Sequence, residues 1–281
     1  PPRSTLFPYT TLFRSTMSTM AIKGMLGALT VLTAGTLAAQ TTTFNTLADW
    51  NCQPKQNVTM ADGVFKVTGS TNMMTVKKFD VDPSRTYVLK ATAKTDGTEK
   101  SMFYFGFNQF DKNGRNIPCI SAAIVAQTDT ELVAPAKKGD TSIKVKDGSK
   151  WRVNQWFGFA YNTDPSFSDL PNFNIAQCPV KEVKQEGEAW LLTFSKPLMV
   201  DLASGTKVRQ HANGGYMYTG GYGQLTGTWK TFSGSAKDIA KSGFNYVKFA
   251  PGTAKVQVIM LVNWGNKNAT AEVKDISLEV K

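Results

Sequence analysis

The chain has 281 residues, 41% hydrophobic and 19% charged, with 32 Lys and Arg against 21 Asp and Glu for a net charge of +11. That is enough for one large β domain or two small ones with real cores. A single histidine excludes a multi-histidine metal centre, and three widely spaced cysteines permit at most one intrachain disulfide and argue against a zinc site.

Residues 5–15, reading TLFPYTTLFRS, look like a translated sequencing adapter, so 1–16 is expected to be an artefact without fold signal. Met17 or Met20, Lys23 and the apolar run from Met25 through Leu37 into Ala38, Ala39 and Gln40 have the layout of a secretory signal peptide over 17–39. The protein is therefore expected to be secreted, extracellular or periplasmic. The apolar run is too short to span a bilayer as a helix, and no cysteine follows the small residues to carry a lipid. Residues 1–39 hold Arg3, Arg14 and Lys23 and no acid, so cleavage lowers the net charge by three. The remaining excess suits an anionic glycan or cell-wall polymer. It equally suits lysines that keep a β protein soluble and blunt its sheet edges. No stripe alternating Arg with aromatics marks a nucleic-acid partner.

Beyond the leader, period-2 alternation recurs and no stretch longer than ten residues keeps a helical stripe, which predicts a nearly all-β chain. Asp62 and Gly63 form a hairpin signal ahead of Val64 and Val67. Tyr87, Leu89, Ala91 and Ala93 alternate along the next strand. Phe103, Phe105 and Phe107 then fall on one face, expected in the core, while Tyr104, Asn108 and Phe110 share the other. Asp111, Asn113 and Gly114 read as a hairpin turn rather than a calcium loop, lacking the closing ligands.

Residues 128–212 have a character of their own: Gly139, Asp140 and Thr141 before a strand, Pro197 and Leu198, then a close on Gly205, Thr206, Lys207 and Val208. Trp156, Phe157, Phe159 and Tyr161 are expected in this segment's core. The segment is predicted to be an insert in a loop of the surrounding domain, 40–127 and 213–281. Cys119 and Cys178 are the expected disulfide pair.

After the insert, the Gly-rich stretch 214–222 places Tyr216 and Tyr218 on one side of a strand and Tyr222 in a bend. Trp229 is assigned to packing, and residues 236–241 are the one short helical candidate. Val256, Val258, Met260 and Val262 alternate with Gln257, Ile259, Leu261 and Asn263, leaving a partly polar face suited to a cleft. Trp264 follows at the strand end, where loop aromatics often meet ligands.

In their order, the Asp62–Gly63 hairpin, the Tyr87 strand, the Phe110–Gly114 turn, the Pro251–Gly252–Thr253 lead-in and the closing strand through Asp275 resemble the jelly-roll, galactose-binding-like carbohydrate-binding modules appended to secreted cellulases and xylanases. The resemblance covers roughly 44–125 and 213–281. The insert resembles a small β-barrel-like unit of adhesive and phage-tail proteins. The implied fold is an all-β jelly-roll sandwich with an inserted small barrel-like subdomain. A polysaccharide or surface glycan is the implied partner. Modules of this kind often hold a structural calcium between a last-strand carboxylate and the first strand, here Asp275 and Asn45, although Thr46 and Leu47 stand where an acid is usual. An outward Asp275 is the competing reading.

Sugar faces pack on aromatic rings while amides satisfy hydroxyls, which makes Tyr104, Asn108, Tyr216, Tyr218, Tyr222 and Trp264 the candidate ligand contacts. Catalysis finds less support. His211, the sole histidine, has no nucleophile motif beside it and is expected at a partly exposed site, and the acids Asp111, Asp129, Asp164, Asp169, Glu182, Glu186 and Glu188 fall mostly in turns or on Lys-flanked strands. The sequence thus predicts a secreted non-catalytic glycan-binding protein. A structural or adhesive extracellular subunit is the second reading, and a hydrolase requires two carboxylates converging in a cleft.

Overall fold

A computed structural model of the chain describes residues 38–281. The expected artefact and the signal segment up to residue 37 lie outside the described residues. Eight strands precede the insert: β1 (Gln40–Thr43), β2 (Trp50–Gln53), β3 (Val58–Ala61), β4 (Val64–Thr68), β5 (Thr71–Thr75), β6 (Phe79–Asp80), β7 (Tyr87–Thr95) and β8 (Met102–Phe110). Seven short ones follow: β9 (Thr130–Glu131), β10 (Ser142–Val145), β11 (Phe157–Tyr161), β12 (Ile175–Ala176), β13 (Val180–Glu186), β14 (Ala189–Phe194) and β15 (Lys207–Ala212). Four close the chain: β16 (Met217–Gln224), β17 (Lys230–Ala236), β18 (Lys255–Val262) and β19 (Thr270–Val280).

Two six-stranded antiparallel sheets form a β-sandwich. One has the order β17-β7-β19-β4-β3 with β1 on β19, and the other β16-β8-β18-β5-β2 with β6 on β18. Successive long strands change sheet, β7 to β8, β16 to β17 and β18 to β19, which is the wrapping expected of a jelly roll. The β3–β4 hairpin turns on Asp62 and Gly63, both with positive φ, the geometry for which that dipeptide is suited.

The alternation seen in the sequence becomes the core. Phe103, Phe105 and Phe107 of β8 and Val256, Val258, Met260 and Val262 of β18 are fully buried against Leu89, Ala91 and Ala93 of β7 and Val273 and Leu278 of β19. Full burial of each large side chain contributes about 1.5 to 3 kcal/mol. The intervening residues of β8 and β18 face outward, and they build the site described below.

The insert differs from the expected barrel. Its strands form two open sheets, β10-β14-β13 and β12-β11-β15-β9, and no closed barrel. They share a core of Ile143, Val145, Trp151, Phe159, Leu192, Phe194 and Val208. Backbone bonds also join the sheets at their edges, Lys146 N–H to the Glu131 carbonyl and Val133 N–H to the Lys144 carbonyl, both at 3.0 Å. Phe159 is in that core as expected, but Trp156 is 62% exposed. The 236–241 segment is not helical: Ala236 ends β17, and Ile239 instead pairs with Phe249 in a lone parallel bridge. Among the described residues no helix is long and apolar enough to cross a membrane.

The expected disulfide is not formed. Cys52, Cys119 and Cys178 are all free thiols. Cys178 points into the insert, its sulfur 3.3 Å from the Pro197 carbonyl, whereas Cys119 lies against Ala212 at the sandwich side. Trp229 is not packed in the interior either. It is 38% exposed, between the ammonium groups of Lys94 and Lys274 at 4.8 and 4.7 Å from its ring.

Candidate functional site

The outward face of the β16-β8-β18-β5-β2 sheet carries two clefts. The first, about 330 Å³, has Asn108, Tyr218 and Leu261 on its floor, Tyr216 and Phe244 beside them, and Trp264 at one end. Asn116, Ile117, Pro118, Cys119, Gly214 and Gly215, where the chain enters and leaves the insert, line the other end.

Register explains how these side chains meet. Tyr222 lies opposite Tyr104, and a bulge between Met217 and Gly221 displaces the β16 backbone so that Tyr218 sits over Gly106. A methyl group at Gly106 would run into the Met217 carbonyl, so only glycine permits this approach. The result is a cluster of four tyrosines. Tyr104 and Tyr218 have ring centroids 4.8 Å apart, Tyr104 and Tyr222 stack at 5.7 Å, and Tyr246 packs on Tyr218 at 5.9 Å and Tyr222 at 6.4 Å. Thr219 fixes Tyr246 by donating its hydroxyl to the Tyr246 carbonyl at 2.7 Å.

Amides lie beside the rings. Asn116 Nδ2 donates to Asn108 Oδ1 and to the Gln109 carbonyl, the latter at 3.0 Å. Asn108 Nδ2 faces only the Met74 sulfur, at 3.9 Å. Gln109 is structural, its Oε1 accepting from Ala250 N–H and the Thr253 hydroxyl. Burial pushes the Tyr218 hydroxyl and the Cys119 thiol each up to about 12 and raises Tyr246 as well. These groups stay neutral at physiological pH. No residue lining this cleft is charged.

The second cleft, about 370 Å³, lies at the β2 edge and is lined by Trp50, Asn51, Cys52, Gln53, Lys55, Asn72, Met74 and Gln257. Two residues that line it, Asn72 and Trp50, have a buried Oδ1 and Nε1 with no hydrogen-bond partner among the described residues. Lys55 is the one charged residue along either cleft.

The sequence-predicted contacts fall together here. Asn108, Tyr216, Tyr218 and Trp264 line the first cleft, and Tyr104 and Tyr222 complete its tyrosine cluster. Sequence reasoning missed Tyr246, Phe244 and the neck residues, which no periodicity marks. It also missed Asn116, Asn72 and Gln257, although the polar face of β18 was a signal for the last.

Asn45 and Asp275 stand apart from both clefts. Phe44 N–H bonds the Ile276 carbonyl at 3.0 Å, which brings Asn45, two residues past the end of β1, close to Asp275 of β19. Both are exposed, and the Asp275 carboxylate is 4.0 Å from Lys274 Nζ. Calcium takes six to eight oxygens. The Asp275 carboxylate, shared with a lysine, supplies at most two of these, and among the described residues no group of three or more His, Cys, Asp and Glu is placed to hold a metal ion.

His211 is fully buried rather than partly exposed. Its Nδ1–H donates to the Ile120 carbonyl at 2.6 Å, leaving Nε2 to accept from Arg209 Nε at 3.0 Å. Arg209, also fully buried, pairs with Asp169 at 2.7 Å and Asp129 at 3.3 Å. These residues form a structural knot. Beside it a cleft of about 300 Å³ is lined by Asp129, Glu131 and Asp147 with Lys146 and Lys207. Its carboxylates are partnered: Asp129 with Arg209, Glu131 with Lys146 at 3.7 Å, and Asp147 with Ser149 N–H at 2.8 Å.

No protein-family model matches the chain, and no curated protein does. A solved structure described as "CBM4 structure and function" is similar over 83% of this chain and 78% of that one, with a TM-score of 0.31 and 10% identity. A likeness that slight carries no argument, and the fold and site rest on the strands and side chains themselves.

Proposed function

We propose that this chain is a secreted, non-catalytic glycan-binding protein whose site is the tyrosine-lined cleft. The carrying observation is the clustering of tyrosine rings beside two asparagine amides, with Asn116 Oδ1 free to accept, in an uncharged groove. Rings of this kind take the apolar face of a pyranose, and the Asn108 and Asn116 amides and the tyrosine hydroxyls meet its hydroxyls. The lack of charge in this cleft selects a neutral polysaccharide, so the basic surface serves solubility rather than recognition. We further propose that 128–212 acts as an inserted subdomain of the discontinuous sandwich domain.

A glycan and polysaccharide array tests the reading, run on residues 40–281 with and without calcium, beside a Tyr216→Ala, Tyr218→Ala double variant. Binding to neutral glycans that the variant loses supports it. Silence on neutral and acidic glycans alike rejects it and favours a structural or adhesive subunit. Calcium dependence would require a metal set other than the lone Asp275 carboxylate.

One observation keeps a hydrolase as a third reading, behind the structural or adhesive subunit: three carboxylates, Asp129, Glu131 and Asp147, line one cleft of segment 128–212. Release of new reducing ends from array-positive polymers, abolished by Asp129→Asn, would establish it.

A further inference from the structure

The first cleft has a long axis and two unlike ends. Leu261 lies opposite Tyr104 and Gln257 opposite Asn108, so Trp264, just past β18, and Asn108 mark opposite ends of one stretch of β8. At ~3.3 Å per residue, Tyr104 to Asn108 spans about 13 Å.

At the Asn108 end the chain leaves the sheet. Beyond β8 it turns on Asp111, returns with Ile117 N–H bonded to the Gln109 carbonyl at 2.8 Å, and departs through Pro118 and Cys119. It comes back through Gly214 and Gly215, where Gly214 lies against the Cys119 sulfur. This neck is tied shut. Ala212 N–H bonds the Ala123 carbonyl and Val125 N–H the Gln210 carbonyl, both at 2.8 Å. Asn172 N–H bonds the Ser121 carbonyl at 2.8 Å, and Phe173 and Phe244 pack on Ile117, Ala122 and Ala250. A wall bonded at this many points is part of the site's shape.

Resting on the glycan-binding reading, we propose that this cleft holds the end of a glycan chain: the terminal sugar abuts the neck at Pro118, Cys119, Gly214 and Gly215, and the following units run over Tyr218 toward Trp264. A terminal unit carries a hydroxyl that an internal unit has spent in a glycosidic bond. The groups able to read it stand at that end. Asn116 Oδ1 has no protein donor among the described residues, and Asn108 Nδ2 has only the Met74 sulfur.

The test titrates the wild-type chain by calorimetry with linear glucans, xylans and mannans of defined length, each also prepared with its reducing end reduced to the alditol. One protein bound per chain at every length is the expected result. Loss of affinity on reduction assigns the reducing end, and retention assigns the non-reducing end. Bound protein rising in proportion to chain length overturns the chain-end inference. Loss of that same binding in Tyr218→Ala would leave the glycan reading standing. Binding to none of these polymers would reject both.

Discussion

Tyr104 and Tyr218 come from opposite sides of the insert in the sequence, yet their rings meet at 4.8 Å and an interplanar angle of 44°. The contact exists because β8 and β16 are hydrogen-bonded neighbours on either side of the excursion that 128–212 makes from the sheet. Segment 128–212 therefore separates the two strands in the chain without separating them in the sheet. Its neck becomes the wall against which the tyrosine surface ends.

Tyr222 offers a way to separate recognition from stability. It is 57% exposed and stacks on Tyr104 with planes 17° apart, so it supplies surface to a ligand and little to the core. Replacing it by alanine is expected to change unfolding free energy by about 0.5 kcal/mol or less. Glycan affinity should fall about two- to tenfold, the equivalent of one aromatic contact of about 0.5 to 1.5 kcal/mol. Thermal melts and calorimetric titration of the same preparation check both halves.

Much of this was legible in the sequence, for a physical reason: strand period and turn chemistry are local. The alternation of Phe103, Phe105 and Phe107 with Tyr104 and Asn108 assigned core and cleft faces, and Asp62 and Gly63 fixed a hairpin. What was not legible is set by tertiary contact. Tyr246 lies on an irregular segment and owes its place to the bond from Thr219 and to packing on Tyr218 and Tyr222. Arg209 and His211 alternate with Val208 and Gln210 as outward residues would, but β15 is covered on both faces, so all four are buried. Nor was it legible whether the small sheets of 128–212 close into a ring, since local pattern does not say whether a small sheet closes.

Gly106 is the backbone condition for the tyrosine cluster. Its missing side chain admits the Met217 carbonyl and Tyr218 Cα, so Gly106→Val must push β16 outward. Strain of this kind costs about 1 to 3 kcal/mol. Urea unfolding should show that loss. The variant should also lose glycan binding with every tyrosine still present, which distinguishes ring placement from ring chemistry.

Arg209 is expected to hold the insert together. Removing its guanidinium as Arg209→Met leaves Asp169, only 9% exposed at its side chain, without its counter-charge, held only by the Asn172 amide and Asp164 N–H. Breaking a buried pair from one side costs about 3 to 5 kcal/mol. Arg209→Lys should rescue little, because one ammonium cannot serve Asp169, Asp129, the Asp164 carbonyl and His211 Nε2 at once. Denaturant titration followed through Trp151 and Trp190 in the insert would read the loss. A transition unchanged from wild type would show that the knot is dispensable.

His211 makes stability pH-dependent in a defined window. Burial, with the nearby Arg209 charge adding to it, holds the imidazole down at about 4 from its ordinary 6.5, and the bond to the Ile120 carbonyl offsets only part of this. The unfolded chain therefore binds a proton that the folded chain refuses between pH 6.5 and 4, and stability falls as pH drops through that range. The full effect is on the order of 3 kcal/mol. The lowered carboxyls of Asp82, Asp147 and Asp164 act in the same direction but only below the ordinary carboxylate range, so they do not mimic it. Asp129, raised by burial, acts oppositely, adding stability as pH falls. His211→Gln keeps an acceptor for Arg209 and removes the titration. Its urea midpoint should change less than wild type's between pH 7 and pH 4.5, and an equal change in both would place the dependence elsewhere.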